Sequence, residues 1–378
     1  MSEPTPPAAF SEYRDRCAAV AAAGFLLCLL GGLHHAEALF RSYLCAYLFW
    51  FGLGAGCLAL LMLHYIVGGG WGELLRPMLE AAAGTVPRLA WLFIPLLFGL
   101  GSLYPWTRAG ALAADPVLRH KHAYLNVPFF ELRAAACFAL WVWLFYRVRR
   151  RPAAGDADGA RSAARTSAVG LLALVFTLSV GAIDWTMSLE PRWYSTVYPL
   201  LLICGHAASA LAFSVLALAA VGDGRRLAEE LPPKPFLDVG NLLLACVMLW
   251  AYAGFSQYLI IWSGGIPLEI SWYLRRQDGV WFPAALAMIA ALFAVPFILL
   301  LVRRNKIRLE RLAAIAALVV AGRYLESFWL IKPAEPSAPA LHWLDLAAAL
   351  AVGGAWLSAF FGRLATRPLV ATPPGGPS

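Results

Sequence analysis

The sequence has little charge. Asp, Glu, Lys and Arg make up 14% of its 378 residues, whereas hydrophobic residues make up 61% and the mean hydropathy is +0.68. A soluble domain has about a quarter of its residues charged and about half apolar, so a soluble globular fold is excluded. The apolar residues form long unbroken runs instead of alternating, which excludes a membrane β-barrel. Their abundance also excludes a disordered chain.

The sequence also lacks the patterns that hold metals, haem and nucleotides. Its seven cysteines stand singly within apolar runs, with no CxxC pair, so neither a disulfide framework nor an iron–sulfur or zinc site is expected. A b-type haem would need two histidines at one depth on facing helices, and only His206 lies deep. No CxxCH is present for haem c, and no P-loop or GxGxxG follows a strand. We therefore expect no permanently bound cofactor.

Ten apolar runs are long enough to cross a bilayer, since a spanning helix needs ~20 residues. They cover residues 17–34, 43–66, 89–107, 127–146, 167–187, 196–221, 239–262, 281–302, 312–331 and 341–362. We predict an all-α integral membrane protein that forms one polytopic domain over residues 1–378, with no soluble domain. An N-terminal tail (1–16), a flexible linker rich in Arg, Ala, Gly and Asp (147–166) and a C-terminal tail (363–378) complete this layout. The N-terminus lacks the features of a cleaved signal peptide, so the first run is expected to be retained.

Basic residues are distributed unevenly between the two sides of the membrane. With ten spans, both termini share a side with the linker, and 20 of the 30 Lys and Arg residues fall on that side. Because positive residues stay in the cytoplasm, we predict that both termini, the tails and the linker are cytoplasmic. Topology thus accounts for the formal net charge of +8, and nucleic acid is not expected as a partner.

Polar side chains within the spans are the best indicators of function, because they are costly in a membrane and usually face the bundle interior. The candidates are Asp184, Glu326, Arg323, His206, Glu131, Arg133, Gln257, His342 and Asp345. Almost all lie in the outer half of the membrane, and His206 lies close to its middle. We predict that seven of them converge on one cavity that opens outward: Asp184, Glu131, Glu326, Asp345, His206, Arg133 and Arg323. In this hypothesis Asp184 and Glu326 carry protons, and Arg133 and Arg323 are their charge partners.

Each candidate also has a purely structural interpretation. Arg323 and Glu326 stand three residues apart and share a helix face, as an ion pair that ties helices together would. His206 suits a hydrogen bond between helices, and Asp184 suits a turn at the membrane edge. The inner half offers few polar groups beyond His64 and its neighbours. A pathway through the whole membrane would need polar lining on both sides of the midplane.

Four stretches carry a specific resemblance. They are FWFGLGAGCLALLMLHYIVGGGWGELLRPMLEAAA (49–83), FIPLLFGLGSLYPW (93–106), AIDWTMSLEPRWYSTVYP (182–199) and GFSQYLIIWSGGIPLEISWYLRR (254–276), the last followed by GVWF (279–282). Together they resemble the F-type membrane subunit of alternative complex III, a bacterial quinol:cytochrome c oxidoreductase. That subunit belongs to the NrfD/polysulfide-reductase membrane-subunit superfamily. The order of the stretches and the ten-span layout match as well, so the resemblance extends along the whole chain.

One segment departs from the family pattern. After IIWSG the family has Asn-x-Pro-Glu-Glu, whereas this chain has Gly265-Ile266-Pro267-Leu268-Glu269. An Asn and one acidic residue are therefore missing, and roles that rest on those two positions are not carried over to this chain.

The resemblance implies a fold of two four-helix bundles with two further helices and no redox cofactor of its own. It implies partners: a C-type quinol-binding membrane subunit, an iron–sulfur subunit and haem c subunits that accept the electrons. It places the chain in the bacterial inner membrane, in a respiratory or photosynthetic electron-transfer chain, where it supports quinol binding and oxidation and takes part in proton translocation. The nine polar residues then become candidates for a quinone site or a proton pathway.

Two other function classes also fit the sequence. A secondary transporter or proton channel that works alone would have ten spans and buried charges as well. An architectural subunit would pack its partners and perform no chemistry. The family-like stretches favour the complex, and the scarcity of polar groups in the inner half disfavours a transporter.

Overall fold

The computed structural model describes residues 7–149, 156–221, 232–335 and 339–366. Within these ranges the chain is almost entirely helical and contains no β-strand. Its helices are α1 (Pro7–Gly32), α2 (Ala36–Val67), α3 (Gly70–Ala83), α4 (Val86–Phe98), α5 (Leu100–Leu103), α6 (Ala111–Ala114), α7 (Pro116–Lys121), α8 (Val127–Val148), α9 (Ala157–Trp185), α10 (Tyr198–Ala220), α11 (Lys234–Gly264), α12 (Pro267–Arg275), α13 (Trp281–Ile289), α14 (Val295–Leu301), α15 (Arg303–Lys306), α16 (Leu309–Ile331) and α17 (Trp343–Leu364). A π-helical turn, Ala290–Ala294, joins α13 to α14.

Ten helical segments of the described chain are long and apolar enough to cross a membrane. They are Ala9–Gly32, Ala36–Val67, Gly70–Phe98, Val127–Val148, Ala157–Leu189, Tyr198–Ala220, Lys234–Gly264, Trp281–Leu301, Leu309–Ala334 and Trp343–Leu364. Each overlaps one of the ten apolar runs. The prediction of an all-α integral membrane protein with about ten spanning helices is thereby confirmed.

The linker predicted at residues 147–166 is shorter in the structure. Helix α8 continues to Val148, and α9 begins at Ala157 after Asp156, whose carboxylate accepts the Gly159 backbone N–H at 2.8 Å. A helix N-cap of this kind, followed by Ala-rich sequence, favours helix over a flexible chain. Residues 150–155 lie outside the described residues. Helix α1 likewise begins at Pro7, within the predicted N-terminal tail, and residues 367–378 of the C-terminal tail lie outside the described residues.

We describe eight of the spans as two groups of four and the other two as an outer pair; the two groups are in direct contact, because α2 and α10 pack closely on each other. The first group holds α2, the α3–α4 segment, α8 and α9, and the second holds α10, α11, the α13–α14 segment and α16. Helices α1 and α17 pack on each other, and α17 also packs on α2. We call the end of the molecule where α1 begins and α17 ends the terminal face. The opposite end, which carries residues 99–126 and α12, is the loop face.

The outer pair is packed through glycine. A Cβ atom placed on Gly24 of α1 would overlap the backbone of Ala351 on α17, and one on Gly354 would stand 2.7 Å from the Ala21 backbone nitrogen. Small residues let membrane helices approach to backbone contact, where van der Waals packing is strongest. The first and last spanning helices of the chain are therefore held together along most of their length.

Candidate functional site

A bidentate ion pair joins α8 to α9 near the loop face. The Arg133 guanidinium donates from Nε to Asp184 Oδ2 (2.7 Å) and from Nη2 to Asp184 Oδ1 (3.0 Å). Its Nη1 donates to the Tyr124 carbonyl oxygen (2.9 Å), and the guanidinium lies 3.8 Å from the centre of the Tyr124 ring. Asp184 is 2% exposed. The geometry is that of a charge-assisted, fully paired carboxylate, as predicted for these two residues.

A groove of about 630 Å³ opens beside this pair, between α9 and α10. Tyr124 forms part of its wall, so one side chain both borders the groove and covers Arg133. Further from the loop face the wall is apolar, with Val175 on α9 and Ile203 on α10. At the loop face Lys121 borders it, and the Lys121 ammonium donates to the Pro191 carbonyl oxygen at 2.7 Å. We call this feature the α9–α10 groove.

A short hydrogen-bond chain leads from the α9–α10 groove to the second group of helices. Ser195, which borders the groove, donates from Oγ to Gln257 Oε1 (3.1 Å). The Gln257 amide in turn donates to the Tyr273 hydroxyl (3.1 Å). Burial is the main cause that raises the pKa of Tyr273 to about 12, so its hydroxyl stays protonated at neutral pH. Gln257 thus belongs to the surroundings of the groove, as an amide that connects two hydroxyl groups.

A second cluster lies in the second group of helices. Arg323 and Glu326 form an ion pair on α16, and Trp250 of α11 donates from its indole nitrogen to Glu326 Oε1 at 2.9 Å. The Arg323 guanidinium lies against Gly205 of α10, the residue next to His206. His206 is buried between α10 and α2, and its ring stands 6.1 Å from that of Phe51. Three of the predicted residues therefore gather in one place, with Glu326 only 1% exposed.

His342 and Asp345 begin α17. The His342 Nδ1 atom accepts the Leu344 backbone N–H (3.2 Å), and the Asp345 carboxylate accepts the His342 backbone N–H (2.8 Å). This reciprocal capping box satisfies backbone donors that a helix N-terminus otherwise leaves without partners. The Lys332 ammonium lies 2.6 Å from Asp345 Oδ1. Both predicted residues hence hold a helix end in place.

The prediction that seven of these residues converge on one cavity is wrong. Glu131 is exposed on the surface of α8, whereas Arg133 turns towards α9. Residues two apart on an α-helix point about 200° apart, so these two face nearly opposite directions. The other candidates lie in four separate places. Arg133 and Asp184 form one pair, Arg323, Glu326 and His206 form a second cluster, Gln257 lies beside the α9–α10 groove, and His342 and Asp345 lie at the start of α17.

The loop face holds a buried arginine that the sequence did not single out. Arg276, 1% exposed, donates from Nη2 to Glu190 Oε1 (2.8 Å) and to the Leu330 carbonyl oxygen (2.7 Å). Its guanidinium stacks 3.6 Å from the centre of the Trp272 ring. Burial lowers the pKa of Arg276, and the Glu190 carboxylate opposes that effect. In the sequence Arg276, Glu190 and Trp272 fall in connections between spans, and only their packing reveals the contact.

The terminal half of the membrane holds more polar groups than predicted. Because α3 belongs to the third spanning segment, it brings Glu73, Arg76 and Glu80 into this half. The Arg76 Nε atom donates to Glu80 Oε1 (2.8 Å), and His64 Nε2 stands 3.1 Å from Glu73 Oε1. The sequence placed these residues in a loop, since the run of α3 is interrupted by charge and by Pro77.

Fold and buried ion pairs together define the class of protein: a multi-pass, all-α integral membrane protein of about ten spanning helices. No model of a known protein family matches the chain, and no curated protein is significantly similar to it.

Proposed function

We propose that this chain is the membrane subunit of a quinol:cytochrome c oxidoreductase of the alternative complex III type, and that the α9–α10 groove takes the quinol. The observation that carries the proposal is a contact through Tyr124. This side chain joins an apolar groove on the spanning helices to the buried Arg133–Asp184 pair. The four family-like stretches of sequence indicate which lipid-soluble ligand the groove takes.

The chemistry of a quinol suits these surroundings. Oxidation to the quinone releases two electrons and two protons. The electrons pass to partner subunits with iron–sulfur and haem c groups, since no ligand set for such groups was found in this sequence. The protons need acceptors within reach, and the Asp184 carboxylate stands behind Tyr124 on one side of the groove. Ser195, tied to Gln257, borders the same groove and offers a hydroxyl to the headgroup.

The family-like stretches are brought together around this groove. The Tyr104 hydroxyl donates to the Trp185 carbonyl oxygen (3.0 Å), which joins the second stretch to the third. The Trp193 and Trp272 rings stack 4.6 Å apart, which joins the third stretch to the fourth. Trp193 also borders the α9–α10 groove. Three of the four stretches therefore support the loop face in mutual contact, as expected if they build a site and a docking face for partner subunits.

Proton movement is a second role, favoured by the position of the polar clusters. The pair at Asp184 lies towards the loop face, Glu326 and its partners lie deeper, and His64 with the carboxylates of α3 lies in the terminal half. We place the terminal face in the cytoplasm of a bacterial inner membrane, following the excess of basic residues on that side. Protons from the quinol would then leave on the loop-face side.

Filling the groove tests its role directly. We expect Ser179→Trp to lower quinol:cytochrome c turnover at least tenfold in the purified complex, because Ser179 borders the groove and an indole there occupies the space of the quinol. The matched control is Leu172→Trp, two turns along the same face of α9, where Leu172 is 74% exposed and does not border the groove. Equal turnover in both variants would place the quinol elsewhere.

Extraction in mild detergent tests the proposed partners. We expect the chain to co-purify with a second multi-pass membrane subunit and with iron–sulfur and haem c proteins, which mass spectrometry and haem absorbance identify. Expressed alone, the chain should aggregate. A monodisperse chain that moves a solute in liposomes would instead favour the stand-alone transporter, and co-purification without any effect of Ser179→Trp on turnover would favour an architectural subunit.

A further inference from the structure

A lysine without a carboxylate partner borders the loop-face end of the α9–α10 groove. The Lys121 ammonium donates to the Pro191 carbonyl oxygen at 2.7 Å and lies 5.5 Å from the centre of the Tyr194 ring, within the range of a cation–π contact. An ammonium has three N–H donors. Within the described residues the other two donors of Lys121 have no hydrogen-bond partner, and the side chain forms no ion pair. They are therefore available to a ligand in the groove.

The surroundings of Lys121 are unfavourable for a positive charge. The side chain is half-buried, and burial lowers its pKa because it disfavours the charged form. Among the described residues no carboxylate opposes this effect. A negative charge in the groove would oppose it, so this end of the groove is complementary to an anion.

The groove has a polar end and an apolar end. Lys121, Tyr124 and Ser195 border it near the loop face. Val175 lies ten residues before Trp185, the last residue of α9, which places it about 15 Å from the loop-face end of that helix. The hydrocarbon core of a bilayer is ~30 Å thick, so the groove extends through about half of it. A ligand with an apolar tail and a polar headgroup therefore fits with its headgroup beside Lys121.

We propose that the Lys121 ammonium binds an oxygen of the quinol headgroup and stabilises the anion that forms when the first proton leaves. This role rests on the proposed function, because the groove must hold the quinol. The neutral quinol gives one proton to the Asp184 carboxylate on the other side of Tyr124 and becomes a monoanion. The monoanion then gives two electrons to the redox groups of the partner subunits, loses its second proton, and leaves as the neutral quinone.

The positive charge acts more strongly on the monoanion than on the neutral quinol. A hydrogen bond to an ionised acceptor is roughly twice as strong as one between neutral groups. A donor that is already in place when negative charge develops lowers the barrier to the reaction. Lys121 thus favours the charged intermediate over the bound substrate, which is the condition for a group to raise kcat.

Two naphthoquinones that differ in charge test this role. An alkyl hydroxynaphthoquinone is an anion at neutral pH and mimics the monoanion, whereas the methyl compound with the same alkyl chain is neutral. Photo-reactive forms of both are added to the purified complex in phosphatidylcholine nanodiscs, and labelling of α9 and α10 is followed by mass spectrometry. We expect the anion to label these helices at concentrations at least tenfold lower than the neutral compound, because it resembles the stabilised intermediate.

Lys121→Met should abolish this preference, and Lys121→Arg should retain it. Labelling by the neutral compound should change less than twofold in either variant, which reports an intact groove. With quinol as substrate, Lys121→Met should lower kcat at least tenfold and leave KM nearly unchanged, since the charge acts on the intermediate. The matched control is Arg119→Met. Arg119 lies two residues before Lys121 on α7, is exposed and does not border the groove, so neither the preference nor kcat should change.

The possible failures can be distinguished. A preference that survives in Lys121→Met, or that is lost equally in Arg119→Met, would overturn the role of Lys121 and leave the proposed function in place. No labelling of α9 or α10 by either compound would overturn the proposed function itself. Loss of labelling when phosphatidylglycerol replaces phosphatidylcholine would identify an anionic lipid as the occupant and would overturn both.

Discussion

Asp184→Asn should reduce quinol:cytochrome c turnover by about 100-fold or more, the range that a positioned acid or base contributes. The substituted amide cannot take a proton from the quinol. The measurement is turnover and proton release in the purified complex, with the amount of assembled complex determined in parallel. Glu131→Gln is the matched control, because Glu131 lies near the same membrane boundary but is exposed on the outside of α8.

A folding defect must be distinguished from a chemical one. Asp184→Asn leaves the Arg133 guanidinium buried without its carboxylate, and breaking a buried pair in this way costs about 3–5 kcal/mol. The double variant Arg133→Met with Asp184→Leu removes both charges and should assemble normally while turnover stays low. Wild-type turnover and proton release in this assembled double variant would show that the pair is structural, and the proposed function would fail with it.

Arg323→Met should lower the free energy of unfolding by about 3–5 kcal/mol, since it leaves the Glu326 carboxylate buried without its cationic partner. The measurement is thermal or denaturant unfolding of the chain within the purified complex. Glu326→Leu on the same background should recover most of the loss, because an apolar pair of similar volume replaces two desolvated charges. Trp250, which donates to Glu326, then loses one hydrogen bond, so we expect the recovery to be incomplete by about 1 kcal/mol.

The same double variant also separates a structural role from a proton-carrying role. If the Arg323–Glu326 pair only ties helices together, turnover and proton release per quinol recover along with stability. If Glu326 carries protons, stability recovers and the number of protons released per quinol falls. A single variant would not separate these results, because it changes stability and charge at once.

Apolar runs made the fold predictable, and packing made much of the site unpredictable. A run of about twenty apolar residues crosses a bilayer as an α-helix, because only a helix satisfies its backbone hydrogen bonds within the segment. The ten spans can therefore be predicted from the sequence. Arg323 and Glu326 were paired correctly because an i, i+3 spacing is local. Arg276 and Glu190 are 86 residues apart in sequence, and nothing local indicates that they meet.

Periodicity accounts for the largest error. Glu131 and Arg133 are both charged and stand at the same end of a span, which favours one shared cavity. Their separation of two residues on a helix already implies opposite directions. Glu73, Arg76 and Glu80 lower the mean hydropathy of the sequence around them, which predicts a loop there. They pair with one another and with His64, which lets a helix with these residues lie among the other helices.

The close contact of α1 with α17 has a consequence for biosynthesis. The two helices are far apart in sequence, so Gly24 and Gly354 can approach their partners only after α17 has been synthesised. At about 5–20 residues per second, the ~330 residues between them take roughly 15 to 70 s to translate. During that time the first helix waits in the bilayer without its main neighbour. A ribosome that stops before α17 would therefore release a chain in which α1 lacks its main packing partner, and we expect such a chain to be a substrate for membrane quality control.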